Sequence, residues 1–213
     1  MYNILLFDLD GTLTDSKPGI INSVKYALRH YDIVPDESTL HEFIGPPLVD
    51  SMKRFYGFDD KKAAEAVAYY REFFSETGIF QNSVYPGIDD ALKRLTESGA
   101  ELYVATSKPE VFAVRILEHF NLSRYFRGIY GATFDGSISE KADVIAYALR
   151  EIKPTDMSRV LMIGDRSYDV LGARKNGIDC AGVLYGYGNE DELTRAGAVM
   201  LLKNTNDIPS VIL

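Results

Sequence analysis

The sequence predicts an α/β fold in which helices cover both faces of a parallel sheet. From Tyr85 onward, helical segments alternate with short apolar segments, which is typical of parallel strands joined by helical crossovers. Near the start, the continuous apolar run at residues 4–7 is typical of a strand buried on both faces. No convincing strand follows between Asp15 and Gln81, so this region predicts a helical insert. The predicted architecture is a Rossmann-like sheet with a four-helix cap inserted after its first strand.

The individual elements are predicted from periodicity and from the residues that interrupt it. In the insert, apolar side chains recur about every 3.6 residues after Pro18, and proline and glycine separate the helices. Three further helices are predicted there, at 36–44, 47–56 and 60–77. After the insert, the predicted strands are 101–105, 128–132, 160–163, 180–183 and an edge strand at 198–202, and the predicted helices are 87–98, 110–120, 141–151 and 168–176. The predicted domains are a core of residues 1–15 and 84–213 and a cap of residues 16–83.

Composition excludes several classes of partner. The chain has 23 Lys and Arg against 31 Asp and Glu, a net charge of −8, which argues against binding a nucleic acid polymer. No run approaches the roughly 20 apolar residues that span a bilayer, so no membrane association and a cytoplasmic location are expected. Cys180 is the single cysteine and is predicted to pack as a small hydrophobe. Without a heptad pattern or a long exposed apolar strand, a monomer is the default expectation.

Polar side chains follow three of the predicted strands, at the point where each strand ends. In open α/β sheets, ligands bind at the carboxyl ends of the strands, so these side chains are expected to converge. A lysine stands at the head of a predicted helix and is expected to join them. The segment 186–188 does not continue into a Gly-x-Gly-x-x-Gly pattern, so a nucleotide cofactor is not predicted. The candidate site residues are Asp8, Asp10, Thr106, Ser107, Lys108, Lys141, Asp165 and Asp169.

The segment Asp8-Leu9-Asp10-Gly11-Thr12 resembles the Asp-x-Asp-Gly-Thr signature of the haloacid dehalogenase superfamily, and further motifs follow in the family's order. Most members transfer phosphoryl groups. The resemblance implies that Asp8 attacks phosphorus and forms an aspartyl-phosphate, while Asp10 protonates the leaving oxygen and then activates water. It also implies that Thr106 and the backbone N–H of Ser107 hold phosphate oxygens. Lys108 is expected to help bind substrate.

Charge balance points to a divalent cation at the same place. Three ionised carboxylates, those of Asp8, Asp165 and Asp169, bring −3 to a site that receives a phosphate dianion. Lys141 is expected to balance part of this charge, but one ammonium group is not enough. Mg²⁺ suits such a site because it prefers oxygen ligands and bridges carboxylates to phosphate. The expected ligands are Asp8, the backbone carbonyl of Asp10 and Asp165, with Asp169 acting through water.

Asp10 narrows the reaction. Dehalogenases of the superfamily lack this second aspartate, so its presence favours a phosphatase or a phosphomutase. The segments 44–48, 106–109 and 164–170 make the chain most similar to phosphoglycolate phosphatases and 5′-nucleotidases. The resemblance therefore implies a magnesium-dependent phosphomonoester hydrolase whose substrate is a small phosphorylated metabolite, either phosphoglycolate or a nucleoside 5′-monophosphate. The alternatives are a phosphomutase of sugar phosphates and a non-catalytic binding or regulatory module on the same fold.

Overall fold

The structure of the chain is a computed structural model that describes residues 2–212. The chain divides into two compact units. One contains Met1–Thr14 and Val84–Leu213, and the other contains Asp15–Ser83. The predicted boundary placed Asp15 with the first unit, one residue away from this division.

Within residues 2–212 the chain forms eight β-strands. They are β1 (Ile4–Phe7), β2 (Thr14–Asp15), β3 (Ser83–Val84), β4 (Glu101–Pro109), β5 (Phe126–Ala132), β6 (Val160–Gly164), β7 (Asp179–Val183) and β8 (Met200–Leu202). Six of them form one sheet in the order β5-β4-β1-β6-β7-β8, and neighbouring strands in it run parallel. The short strands β2 and β3 form a separate two-stranded sheet. The predicted parallel sheet is confirmed.

Residues 2–212 also form eight α-helices. They are α1 (Lys17–Arg29), α2 (Leu48–Tyr56), α3 (Asp60–Glu76), α4 (Ile88–Glu97), α5 (Glu110–His119), α6 (Lys141–Ile152), α7 (Ser167–Lys175) and α8 (Glu190–Ala196). The first three belong to the second compact unit, and the others belong to the first. Helices cover both faces of the six-stranded sheet, as the alternation of helices and strands predicted.

The core of the first unit lies between the sheet and its helices. Strand β1 lies between β4 and β6, and helices cover both faces of the sheet, so its side chains Leu5, Leu6 and Phe7 are fully buried. One cluster of buried side chains joins Leu6 and Met162 of the sheet to Val144 of α6 and Val170 of α7. A strand buried on both faces is apolar at every position, which is why residues 4–7 show no alternation.

The helix predicted at 36–44 is wrong. The chain forms turns there, followed by a short 3₁₀ helix at Leu40–Phe43. The side chain of Asp36 accepts hydrogen bonds from the backbone N–H of Ser38 at 2.9 Å and from its hydroxyl at 2.7 Å. Such local bonds compete with the helical hydrogen-bond pattern. The second unit therefore contains three α-helices and short 3₁₀ segments, not four α-helices.

Three further differences concern the first unit. Strand β4 extends to Pro109, four residues past the predicted end. The edge strand β8 begins only at Met200. Helix α8 was not predicted, although the side chain of Asn189 caps it by accepting a hydrogen bond from the N–H of Glu192 at 2.9 Å.

Candidate active site

The carboxyl ends of β1 and β6 lie side by side. Phe7 is aligned with Ile163, and the N–H of Asp8 donates to the carbonyl oxygen of Ile163 at 2.9 Å. Asp8 therefore leaves the sheet directly beside the end of β6, where Gly164 is followed by Asp165. The side chain of Asp165 is fully buried. The two carboxylates converge because their strands are neighbours in a parallel sheet.

A tight turn follows Asp8 and sets the position of Asp10. The carbonyl oxygen of Leu9 accepts the N–H groups of Thr12, Leu13 and Thr14 at 3.3, 2.9 and 3.0 Å. Gly11 occupies the left-handed region, with a φ of +87°, which glycine adopts at little cost. Its position also leaves no room for a side chain, because a Cβ would lie 2.3 Å from Oδ2 of Asp165. Glycine is required here for both reasons.

Three carboxylates form the centre of the site. Asp8, Asp165 and Asp169 each place a carboxylate oxygen within 4.8 Å of the others. Asp169 reaches the group because Gly164 has no side chain, since a Cβ there would lie 2.2 Å from Cγ of Asp169. Burial, followed by the charges of Asp169 and Asp8, raises the pKa of Asp165. Burial also raises the pKa of Asp169, to about 6, against the opposing effect of Lys141. The negative charge of the cluster is therefore incompletely balanced.

Lys141, the first residue of α6, is the buried cation of this cluster. Its Nζ donates to Oδ1 of Asp8 at 2.6 Å and to the carbonyl oxygen of Ala105 at 3.0 Å, and it forms an ion pair with Oδ1 of Asp169 at 2.9 Å. Burial alone lowers the pKa of the ammonium group, but the charges of Asp169 and Asp8 outweigh burial and raise it. Lys141 therefore stays charged and joins the residue after β1, a residue of β4 and a residue of α7.

Asp10 has a separate cationic partner. Nζ of Lys108 lies 2.5 Å from Oδ2 of Asp10, and both side chains are largely buried. The other carboxylate oxygen, Oδ1, is buried and has no hydrogen-bond partner among the described residues. Lys108 is brought to this position by an irregularity of β4, where the register with β5 shifts between Thr106 and Pro109. Irregular ladders of this kind redirect side chains at the ends of strands.

Thr106 and Ser107 lie at the same end of β4. Thr106 is buried, and its Oγ1 accepts the backbone N–H of Lys108 at 3.3 Å. Ser107 is partly exposed and lies within the irregular part of the strand. The structure thus brings Asp8, Asp165, Asp169 and Lys141 into one cluster. A second group beside it contains Asp10, Thr106 and Lys108.

The carboxylate cluster fits a hard divalent cation. When ionised, its three carboxylates carry −3, whereas Lys141 contributes +1. Carboxylate oxygens are the ligands that Mg²⁺ and Ca²⁺ prefer. The pKa of Asp165 is raised first by burial and then by the charges of Asp169 and Asp8, and such an ion would offset the part that is due to charge. Asp169 is also held by the N–H of Arg166, which donates to its Oδ2 at 3.1 Å. With one oxygen on Arg166 and the other beside Lys141, Asp169 is better placed to act through water.

The sequence-based prediction missed one group of residues at the site. The N–H of Tyr187 donates to Oδ2 of Asp165 at 2.8 Å, and Oγ1 of Thr12 donates to Oδ1 at 3.4 Å. The signal for Tyr187 was the pair of glycines on either side of it, Gly186 and Gly188, shortly after a buried strand. As a sequence pattern, this pair shows that a complete nucleotide-binding motif is absent, and it does not by itself indicate a contact with Asp165.

The comparison with protein families agrees with this geometry. The model of the haloacid dehalogenase-like hydrolases matches residues 5–183, which include the whole cluster. The chain belongs to the haloacid dehalogenase-like hydrolase family. Within this family, the predicted phosphatase resemblance is confirmed, and so is the prediction of an enzyme.

Three curated relatives illustrate the range of the family. A 5′-nucleotidase of Pseudomonas aeruginosa is 49% identical over 193 residues, which are 90% of this chain and 87% of that protein. The tyrosine-protein kinase PtkA of Mycobacterium tuberculosis is 41% identical over 199 residues, which are 93% of this chain and 67% of that protein. Phosphoglycolate phosphatase 1 of P. aeruginosa is 30% identical over 217 residues, and the match covers 96% of this chain and 78% of that protein.

One solved structure is similar to this chain in both fold and sequence. The crystal structure of a predicted phosphatase from Clostridium acetobutylicum superposes with a TM-score of 0.94 at 48% identity. The match covers 100% of this chain and 98% of that one.

Among the described residues, no helix is long and apolar enough to cross a membrane.

Proposed function

We propose that this protein is a magnesium-dependent phosphomonoester hydrolase that acts through an aspartyl-phosphate on Asp8. The observation that carries the proposal is the contact of the Asp8 carboxylate with Nζ of Lys141 at 2.6 Å, inside a cluster with two further buried carboxylates. A carboxylate held at a strand end by one fixed cation is oriented as a nucleophile. The likeness to a 5′-nucleotidase and to a phosphoglycolate phosphatase supports hydrolysis of a small phosphorylated substrate.

Each remaining residue has a role in this proposal. Oδ2 of Asp8 attacks phosphorus, while Lys141 holds Oδ1 and offsets the charge of the entering phosphate. Asp10 transfers a proton to the leaving oxygen and later takes one from the attacking water. Thr106, the N–H of Ser107 and Lys108 bind phosphate oxygens. Because Lys108 pairs with Asp10 in this structure, it has to exchange that partner for substrate.

Asp8, the backbone carbonyl of Asp10 and Asp165 would hold Mg²⁺, with Asp169 acting through water. The bound ion would neutralise phosphate charge and align the phosphorus with Asp8. In the same proposal, residues 1–15 and 84–213 are the catalytic core. Residues 16–83 are the cap, in which the choice of leaving group resides.

We infer a nucleoside 5′-monophosphate as the preferred substrate, with phosphoglycolate as the second candidate. The identity of 49% with a 5′-nucleotidase, against 30% with a phosphoglycolate phosphatase, supports this order. The likeness to a tyrosine-protein kinase supports one further candidate, phosphotransfer to tyrosine. The two activities share the need for a phosphoryl-binding site but differ in the acceptor, which is water in one case and a phenol in the other.

Phosphate release from nucleoside 5′-monophosphates, phosphoglycolate and sugar phosphates, with and without Mg²⁺, tests the proposal. Asp8→Asn is expected to lower turnover at least about 10³-fold because the nucleophile is lost. Asp90→Asn, an exposed aspartate of α4, is the matched control and is expected to retain full activity. Undiminished release by the Asp8 variant would refute the covalent mechanism. Phosphotyrosine formed from ATP, without phosphate release from any monoester, would favour the kinase-like alternative.

A further inference from the structure

The segment between β7 and α8 packs its backbone directly against Asp165. A Cβ on Gly186 would lie 2.3 Å from the carbonyl oxygen of Gly11 and 2.4 Å from Cβ of Asp165. A Cβ on Gly188 would lie 1.9 Å from the carbonyl oxygen of Asp165. Neither glycine has a positive φ, so neither is required for its backbone conformation. Both positions exclude a side chain only because the segment approaches Asp165 so closely.

The residue between the two glycines holds the carboxylate itself. The N–H of Tyr187 donates to Oδ2 of Asp165 at 2.8 Å, so the backbone of the segment sets the orientation of this carboxylate. The segment is in turn tied to the turn after β1, because the hydroxyl of Tyr185 donates to the carbonyl oxygen of Thr12 at 2.9 Å. The backbone of Gly11 also lies against this carboxylate, because a Cβ on Gly11 would lie 2.3 Å from Oδ2 of Asp165. The Asp165 carboxylate therefore has little freedom to rotate.

We propose that the segment Gly186–Gly188 is a positioning element that orients Asp165 for the divalent cation. This inference rests on the proposed metal site and adds a residue-level requirement to it. A cation with strict coordination geometry binds tightly only when its ligands are oriented before it arrives. Residues that orient a metal ligand typically change metal affinity 10- to 100-fold when they are altered.

Calorimetric titration of metal-free protein with Mg²⁺, and with Mn²⁺ as a second ion, measures this requirement directly. Gly186→Ala and Gly188→Ala are expected to weaken the Kd about 10- to 100-fold, since the added methyl group has to displace Asp165. Gly128→Ala is the matched control. Its Cβ would lie 2.8 Å from the hydroxyl of Tyr130 on β5, away from the carboxylates, so the Kd should stay within about twofold of wild type.

One further variant separates this inference from the function on which it rests. Asp165→Asn tests the metal site alone. If it abolishes binding while both alanine variants bind like wild type, the positioning role is overturned and the metal site stands. If the wild-type protein binds neither ion, the proposed function fails, and the inference fails with it.

A measurement without substitution covers the case in which the alanine variants do not fold. Mg²⁺ is expected to shift the amide resonance of Tyr187 in the wild-type protein, because the carboxylate that accepts its hydrogen bond changes its charge environment. An unchanged amide resonance at saturating Mg²⁺ would overturn the proposal.

Discussion

Lys141 is the buried cation of the carboxylate cluster, and its removal tests the charge balance of the site. In Lys141→Met, the carboxylates of Asp8 and Asp169 lose their shared partner. The free energy of unfolding is expected to fall by about 3 to 5 kcal/mol in metal-free protein, as for other buried ion pairs from which one partner is removed. Urea denaturation gives this value. Lys175→Met, at an exposed lysine of α7, is the control and is expected to change it by less than about 0.5 kcal/mol.

The raised pKa of Asp169 predicts a pH dependence of stability. Burial raises this pKa from 3.8 to about 6, so the folded protein binds the proton more tightly than the unfolded chain does. The resulting contribution to stability is fully present below about pH 4 and is lost as the pH rises through about 6. The free energy of unfolding of metal-free wild type, relative to Asp169→Asn, is therefore expected to fall between these values.

Urea denaturation of both proteins at several pH values between 4 and 7 measures this difference. The Asn variant removes the titration of residue 169 and also the effect of its charge on the pKa of Asp165. Both effects make the difference between wild type and variant fall as the pH rises. A difference that is flat, or that rises with pH, would contradict the assigned pKa. Saturating Mg²⁺ is expected to stabilise wild type more at pH 7 than at pH 5, because protons compete with the ion for the same oxygens.

Individual site residues could be predicted from the sequence wherever their chemical role lies within a short motif. Asp8, Asp10 and Asp165 could be located because each directly follows, or lies close to, the end of an apolar strand. The pairing of Lys108 with Asp10 could not be predicted, because it depends on the irregularity of β4. The contact of the Tyr187 backbone with Asp165 was also missed, since only the flanking glycines Gly186 and Gly188 mark the close approach of this segment in the sequence.

The first turn of helix α3 is capped by a side chain, and the contribution of this cap to stability can be tested. The side chain of Asp59 accepts a hydrogen bond from the N–H of Lys62 at 2.8 Å and so caps the first turn. Asp59→Ala is expected to lower the free energy of unfolding by about 1 kcal/mol, whereas Asp59→Asn keeps an acceptor and should lose less. Thermal and urea unfolding compare the two variants. Equal losses of unfolding free energy in the two variants would mean that Asp59 stabilises the helix through its charge alone and not through its hydrogen bond.

Elements were predicted well where periodicity and strong interruptions agree. Helices α4 to α7 lie within one or two residues of their predicted ends, because amphipathic spacing and flanking breakers both define them. The helix predicted at residues 36–44 does not form, since the hydrogen bonds that the side chain of Asp36 accepts from Ser38 favour turns there. Helix α8 was missed because it has only 7 residues, too few for a periodic pattern to stand out.

The central strand of the six-stranded sheet allows a test of how tightly the core is packed. Leu6 lies on β1, fully buried between β4 and β6. Leu6→Ala is expected to cost about 2 to 5 kcal/mol, from lost burial and from the cavity that it leaves. Leu171→Ala is the control, because that side chain is 51% exposed. Urea denaturation distinguishes them. A loss below 1 kcal/mol at Leu6 would show that the centre of the sheet can repack.

The strand order β5-β4-β1-β6-β7-β8 is the part of the architecture that local patterns do not contain. Periodicity identifies a strand, but it does not state which other strand pairs with it. The prediction that polar residues converge rests on the general rule that ligands bind at the carboxyl ends of parallel strands. The carboxylates of Asp8 and Asp165 lie close together because β1 and β6 are adjacent in the sheet.

The place of β1 in the sheet also sets an order for folding during synthesis. Its two neighbours, β4 and β6, begin at residues 101 and 160, so β1 leaves the ribosome long before either is available. The compact unit Asp15–Ser83 is continuous in sequence and is complete well before then. Closing the long loops that bring β1 to its neighbours costs chain entropy and slows folding. Until residue 109 has emerged, the nascent chain carries an apolar strand without a neighbour, and until residue 164 has emerged one edge of this strand stays unpaired. Such exposed apolar segments are what chaperones bind.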